Sequence, residues 1–199
     1  MSKLLARVLM ELRPSLIDAR GVGVFAVVEI PKGERVASGI SEEDYKLLIP
    51  WECFADYGPT LQRKVMTFCI GTPEGFIPPE NLDFNRLSIE WFFNHSCEGN
   101  LGFDERGDFV ARRRVSAGEE LTYDYGLAES NPSFRMSCNC RKASCRKTVT
   151  GNDWKDDDFR RRNKEYMLPR LRVLPAIVGT PAGSLFKPSA KRFGTIGSR

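Results

Sequence analysis

The chemistry-bearing residues of this chain fall in four clusters, and the least ambiguous is Cys138-Asn139-Cys140, then four residues, then Cys145. Three thiolates within eight residues wrap one cation, and a structural zinc site takes four sulfur or nitrogen ligands at roughly 2.3 Å for sulfur and 2.0–2.1 Å for nitrogen. The loop is therefore one ligand short, and Cys53, Cys69, Cys97 and His95 are the candidates to complete it. A ligand at residue 97 would staple the C-terminal segment onto the body. The second cluster is Trp91-Phe92-Phe93-Asn94-His95-Ser96-Cys97-Glu98-Gly99-Asn100, where bulky aromatics stop at a polar stretch. His95 is the only histidine, which rules out any mechanism built on a histidine pair. A Cys97–His95 hydrolase dyad is disfavoured, because such partners meet through the fold and not as near neighbours in sequence. The third, Glu119-Glu120-Leu121-Thr122-Tyr123-Asp124-Tyr125-Gly126, puts Leu121, Tyr123 and Tyr125 on one side of an extended segment, suited to a core edge or a pocket. The fourth, Arg20-Gly21-Val22-Gly23-Val24, lets backbone approach a ligand closely, but it lacks the GxGxxG pattern and following helix of a dinucleotide site.

The elements that must position these clusters are mostly short strands. Val22 to Ile30 and Arg35 to Gly39 flank the turn residues Pro31-Lys32-Gly33 and predict a hairpin. Leu101 to Arg114, divided by Glu105-Arg106-Gly107-Asp108, predicts a second. Ser41 before Glu42, Glu43 and Asp44 predicts a short helix over 42–49, ended by Pro50. The proline-punctuated stretch 51–80 reads as irregular, and 153–167 reads as one highly charged helix with acidic residues early and basic ones late. The first twelve residues fit either a helix face through Leu5, Val8, Leu9 and Leu12 or a strand stopped by Pro14.

With 199 residues, 41% hydrophobic and 28% charged, the expectation is one globular domain with an appendage. No apolar run approaches the roughly 18 residues of a membrane span, so no membrane partner is expected, and six cysteines bunched this way fit metal binding in a reducing compartment better than a disulfide scaffold. Residues 1–145 carry 17 basic against 21 acidic side chains, whereas 146–199 carry 13 against 5. The −4 body favours a basic partner, and the +8 end favours phosphate, nucleic acid or the body itself.

Taken together and in this order, RGVGVFA, IPKGE, NHSC, ELTYDYG and CNCRKASC resemble the SET-domain family of protein lysine methyltransferases. The resemblance covers about residues 8–151. It implies a mostly β fold with short helices (α+β), a β-clip-like set of small sheets with a pseudoknot, spanning 8–130. A post-SET zinc segment follows at 134–151, then a C-terminal helix at 153–168 and a basic tail at 175–199. It assigns the Zn2+ ligands as Cys97, Cys138, Cys140 and Cys145. It implies S-adenosyl-L-methionine cradled by Gly21, Val22, Gly23, Asn94, His95 and Tyr125, with Tyr125 as the catalytic tyrosine. Tyr123 matches the aromatic that limits methylation to one or two methyls. The implied partner is a basic protein carrying the target lysine, such as a histone-like tail, with a weak nucleic-acid contact through the C-terminal tail. An intracellular site follows, the nucleus if eukaryotic or the cytoplasm if bacterial. A second reading is a catalytically inactive, zinc-stapled module that docks basic tails or nucleic acid. Trp91 stands where the family often has arginine, and Glu98-Gly99 replaces its usual variable-residue-plus-proline. Lys187 and Lys191 in the tail are candidate pseudosubstrate or automethylation sites.

Overall fold

In a computed structural model, residues 9–18, 21–79 and 82–174 are described. The first half of the chain gives β1 (Met10–Pro14), β2 (Val22–Ala26), β3 (Arg35–Ala37), β4 (Ile49–Pro50), α1 (Trp51–Ala55), α2 (Pro59–Phe68), β5 (Ile70–Gly71), β6 (Gly75–Ile77) and β7 (Asn94–His95). The second half gives β8 (Leu101–Phe103), β9 (Phe109–Ala111), β10 (Glu120–Tyr123), β11 (Arg135–Ser137), β12 (Thr148–Thr150), α3 (Asp157–Asn163) and α4 (Pro169–Val173). The architecture is the expected one of small sheets with short helices.

The largest sheet runs β1-β2-β10-β8-β9-β3, with β7 also pairing β10. Its organising feature is β10, a late strand inserted between early ones. It pairs antiparallel with β2 through Glu120 opposite Phe25, and parallel with β7 through Thr122 opposite Asn94 and Tyr123 opposite His95. This insertion places a late segment of the chain in the middle of the sheet. It carries Tyr123 directly beside His95 and Leu101. Val24, Leu101, Phe103, Val115, Leu121 and Leu127 are fully buried around this crossing, together with the later residues Trp154, Phe159, Met167 and Leu171. The C-terminal segment thus completes the same core.

The second expected hairpin is present: Leu101 pairs Ala111 and Phe103 pairs Phe109, and Gly107 takes a positive φ of 85° that a Cβ would disfavour. The first is not. β3 pairs β9, and β2 pairs β1 and β10, because the strands across the core offer β2 and β3 larger buried faces than the local turn does. The opening segment resolves as a strand from Met10; the alternative helix face through Leu5 and Val8 lies outside the described residues, as do Arg20 and the 175–199 tail.

Three further expectations are corrected. The helix over 42–49 is a 3-10 turn at Asp44–Leu47: Asp44 Oδ2 accepts from the backbone N–H and the hydroxyl of Ser41 at its start, and the backbone turns extended at Leu48 to enter β4, which cuts it short. Residues 51–80 are not irregular: Pro59 sits at the first position of α2, where its missing N–H costs nothing, and β4-β6-β5 form a small sheet. The helix over 153–167 is broken into a 3-10 turn at Asp153–Lys155, α3, and another turn at Lys164–Tyr166. Asp156 Oδ1 accepts the Phe159 N–H and starts a new helix in mid-segment, and Pro169 at the first turn of α4 starts another.

Candidate active site and metal centre

The polar stretch after Phe93 is held by strand pairing and by asparagines. Asn94 Nδ2 lies within donating distance of Val22 O (2.9 Å), Glu120 Oε1 (2.9 Å) and Ser15 Oγ (3.1 Å). One amide therefore clasps the glycine-bearing segment Gly21-Val22-Gly23 to β7. Gly23 has to be glycine here, since a Cβ would run into the Glu120 carboxylate. Asn100 bridges β10 from the other side, donating to Glu120 O and accepting from the Thr122 N–H, both at 2.9 Å. Gly99 stands where a Cβ would come within 2.6 Å of the Tyr123 Cα, which explains the residue type at this departure from the family pattern. Glu98, the other departure, reaches the cysteine loop: its Oε1 accepts from the Ser144 N–H (3.1 Å) and hydroxyl (2.8 Å), bonds that hold its pKa below the ordinary carboxylate value.

His95 is buried and fully engaged. Its Nδ1 accepts the Tyr125 backbone N–H at 3.1 Å, so the ring proton belongs on Nε2, which faces Cys97 Sγ at 3.4 Å. Burial pulls its pKa down to about 4, against the opposing pull of Asp124, and keeps the ring neutral. The histidine joins the cysteine site to the tyrosine. A neutral imidazole N–H facing a thiolate is the kind of support that orients metal ligands.

Cys97, Cys138, Cys140 and Cys145 bring their sulfurs within 4.8 Å of one another. A tetrahedron with sulfur at about 2.3 Å from zinc has edges of roughly 3.8 Å, and Cys97 Sγ to Cys138 Sγ is 3.8 Å. The donor set, the spacing and the supporting N–H groups of Cys140 to Cys138 Sγ and Arg146 to Cys97 Sγ fit a zinc ion. Of the other candidates, Cys53 is exposed and Cys69 is half-buried on the wall of the cavity described below.

Tyr125 lies two residues beyond the end of β10, in a 3-10 turn at Tyr125–Leu127 capped by Asp124, whose Oδ1 accepts the Gly126 N–H. The simple alternation of Leu121, Tyr123 and Tyr125 along one strand is therefore corrected, yet the two phenols still meet, with ring centroids 4.9 Å apart. The turn aims the Tyr125 hydroxyl at Phe93 O, to which it donates at 3.1 Å. Burial holds both phenols protonated. Phe93, Phe109, Tyr123 and Tyr125 line a cavity of about 90 Å³.

Two functional groups carried no sequence signal. Arg146 makes a bidentate pair with buried Asp124, Nη1 to Oδ2 and Nη2 to Oδ1 both at 2.6 Å, and its Nε reaches Asp153 Oδ2 at 2.9 Å. It thereby ties the residue after the last cysteine to the residue between the two tyrosines. Glu129 is buried on the cavity wall, and no residue type or spacing marks it in the stretch GLAESNP.

Fold and site together define a β-rich domain in which a phenol-lined cavity stands beside a segment gathered through four thiols. A family model described as the SET domain matches residues 21–126, about half the chain, and the chain belongs to the SET-domain family. Among curated relatives it is 27% identical over 176 residues to histone-lysine N-methyltransferase ash1 of Drosophila melanogaster, covering 82% of this chain and 7% of that protein. It is 34% identical over 141 residues to probable histone-lysine N-methyltransferase set-23 of Caenorhabditis elegans, covering 65% of this chain and 55% of that protein. The chain thus spans about half or much less of the length of these relatives. Among solved structures, KRYPTONITE in complex with mCHG DNA and SAH aligns at 26% identity with a TM-score of 0.45, over 70% of this chain and 28% of that one. Among the described residues no helix is long and apolar enough to cross a membrane.

Proposed function

We propose that this chain is an S-adenosyl-L-methionine-dependent protein-lysine N-methyltransferase acting on a basic, histone-like protein and adding one or two methyls. The observation that carries the reading is the meeting of Tyr123 and Tyr125, 4.9 Å apart, in an aromatic cavity next to a four-cysteine clamp. The family membership and the relatives' names support it.

When bound, the cofactor supplies an electrophilic sulfonium methyl. The residues to hold it are the Gly21-Val22-Gly23 backbone and Asn94, which one amide already brings together, with His95 and Tyr125 alongside. Transfer needs an uncharged amine in line with that methyl at roughly 3 to 3.5 Å. The aromatic walls exclude water and lower the pKa of an entering ammonium by desolvation. Tyr125, fixed by its hydrogen bond to Phe93 O, orients the amine and shapes the field around the methyl, while the Tyr123 ring packs against Phe103, Phe109 and Tyr125 and restricts space for further methyls. A zinc ion held by Cys97, Cys138, Cys140 and Cys145 would fix the C-terminal wall of the channel. The basic partner fits the acidic body. The test is transfer of label from S-adenosylmethionine to mixed histones and to the protein itself. Label on lysine of an added protein is expected; binding of basic peptides without any transfer would instead identify an inactive docking module.

A further inference from the structure

The channel contains a carboxylate that the proposed reaction has not yet used. Glu129 Oε1 accepts the Asn131 N–H at 2.8 Å, its Oε2 accepts the Gly71 N–H at 2.9 Å, and the Ser130 backbone also favours the charged carboxylate, so backbone donors fix the group in place. These donors come from β5 and from the segment after the tyrosines, and Glu129 is one of the residues lining the cavity together with Tyr123 and Tyr125. Its charge acts on the Tyr123 phenol, raising that group's pKa further beyond what burial does. Among the described residues, those lining this cavity include two carboxylates, Glu129 and Glu90, and no lysine, arginine or histidine. The other titratable groups there are the two tyrosines and Cys69, whose thiol burial pushes up to about 12. The cavity is therefore built to receive a cation, and all its neutral titratable groups hold their protons at neutral pH.

Resting on the methyltransferase reading, we propose that Glu129 is the proton acceptor for the target lysine. The lysine enters as an ammonium; one proton passes to the Glu129 carboxylate, giving a neutral amine and a carboxylic acid. The amine lone pair then forms the C–N bond to the donor methyl as the S–C bond breaks and its electron pair returns to sulfur. Glu129 afterwards releases the proton to solvent as the product leaves. Burial already raises Glu129 to about 7, against the hydrogen bonds from Asn131, Gly71 and Ser130, which places it where an acceptor works best near neutral pH.

The experiment compares wild type and Glu129→Gln on two peptides, one with lysine and one in which an aminooxy group, already neutral at pH 7, replaces the terminal amine. The variant is expected to lose a hundredfold or more on the lysine peptide, the low end of the roughly 10²–10⁴-fold range for positioned bases, and to stay within a few fold on the aminooxy peptide. Equal loss on both peptides, or no loss on either, overturns the assignment. Because glutamine turns its NH2 toward a backbone donor, the wild-type pH profile provides a reading independent of that variant. Transfer to lysine should rise tenfold per pH unit below about 7 and level off above it, while the aminooxy peptide shows no such limb. A lysine rate that keeps climbing toward the amine's own value of roughly 10.4 overturns it. A wild type inactive on both peptides at every pH refutes the methyltransferase reading itself, a result distinct from the others.

Discussion

Replacing Arg146 tests whether the cysteine segment and the tyrosine channel are one unit. The guanidinium closes two charge-assisted bonds of 2.6 Å onto Asp124, whose side chain is only 2% exposed, and a third of 2.9 Å onto Asp153. It also lies over the Phe159 ring at 5.2 Å. Arg146→Ala would leave a buried carboxylate with the Gly126 N–H at 3.0 Å as its remaining close donor. Removing one partner of a buried pair costs about 3–5 kcal/mol. Arg146 is 27% exposed, so water recovers part of that loss and the low end, about 3 kcal/mol, is expected. Arg146→Lys keeps the charge but loses the fork, and should cost about half as much. Changing both partners to uncharged residues, Arg146→Met with Asp124→Asn, should cost less than Arg146→Ala alone, because no charge is stranded. Urea denaturation of the zinc-loaded proteins at matched metal reads these differences from midpoints at constant slope. A loss below about 1 kcal/mol for Arg146→Ala, or a double variant no better than the single, would refute the coupling.

The same reasoning sets further expectations. Tyr125→Phe should fold and bind S-adenosylmethionine with near-normal affinity while losing at least tenfold in transfer rate; calorimetry with single-turnover assays checks this, and near-normal turnover would remove the hydroxyl from its role. Tyr123→Phe should add a methyl to the product distribution, so mass spectra of the product peptide should shift toward higher methylation; an unchanged distribution would contradict the limit assigned to this phenol. Cys97→Ser removes one corner of the sulfur cage and the group facing His95 Nε2. It should weaken zinc at least tenfold, and chelation of the unmodified protein should abolish transfer. Full activity after quantitative zinc removal would separate the metal from the channel.

Much of the site was legible because its residues are chemically constrained at short range. The CNC-x4-C spacing can only gather thiols around a small volume, and the Glu105-Arg106-Gly107-Asp108 turn needs the positive φ that Gly107 supplies. Asn94 and His95 stand beside Thr122 and Tyr123 because β10 pairs β7, and the Tyr125 N–H reaches His95 Nδ1. What was not legible depends on pairing across the chain. β2 and β3 look like hairpin arms, but their partners come from residues 10–14, 120–123 and 109–111, which no local turn announces. α2 is hidden by the Gly58-Pro59 pair, which reads equally as a turn and as a helix start. Glu129 and Arg146 are ordinary charged residues in sequence and gain their meaning only from burial beside Tyr123 and Asp124. The tail lysines Lys187 and Lys191 lie outside the described residues.

The most direct measurement is tandem mass spectrometry of a lysine-containing basic peptide after incubation with the zinc-loaded protein and S-adenosylmethionine. One or two methyls localised to a lysine Nζ, and lost when Tyr125 is phenylalanine, is the predicted result. Unmodified peptide under conditions where the folded protein demonstrably holds both zinc and the methyl donor would contradict it.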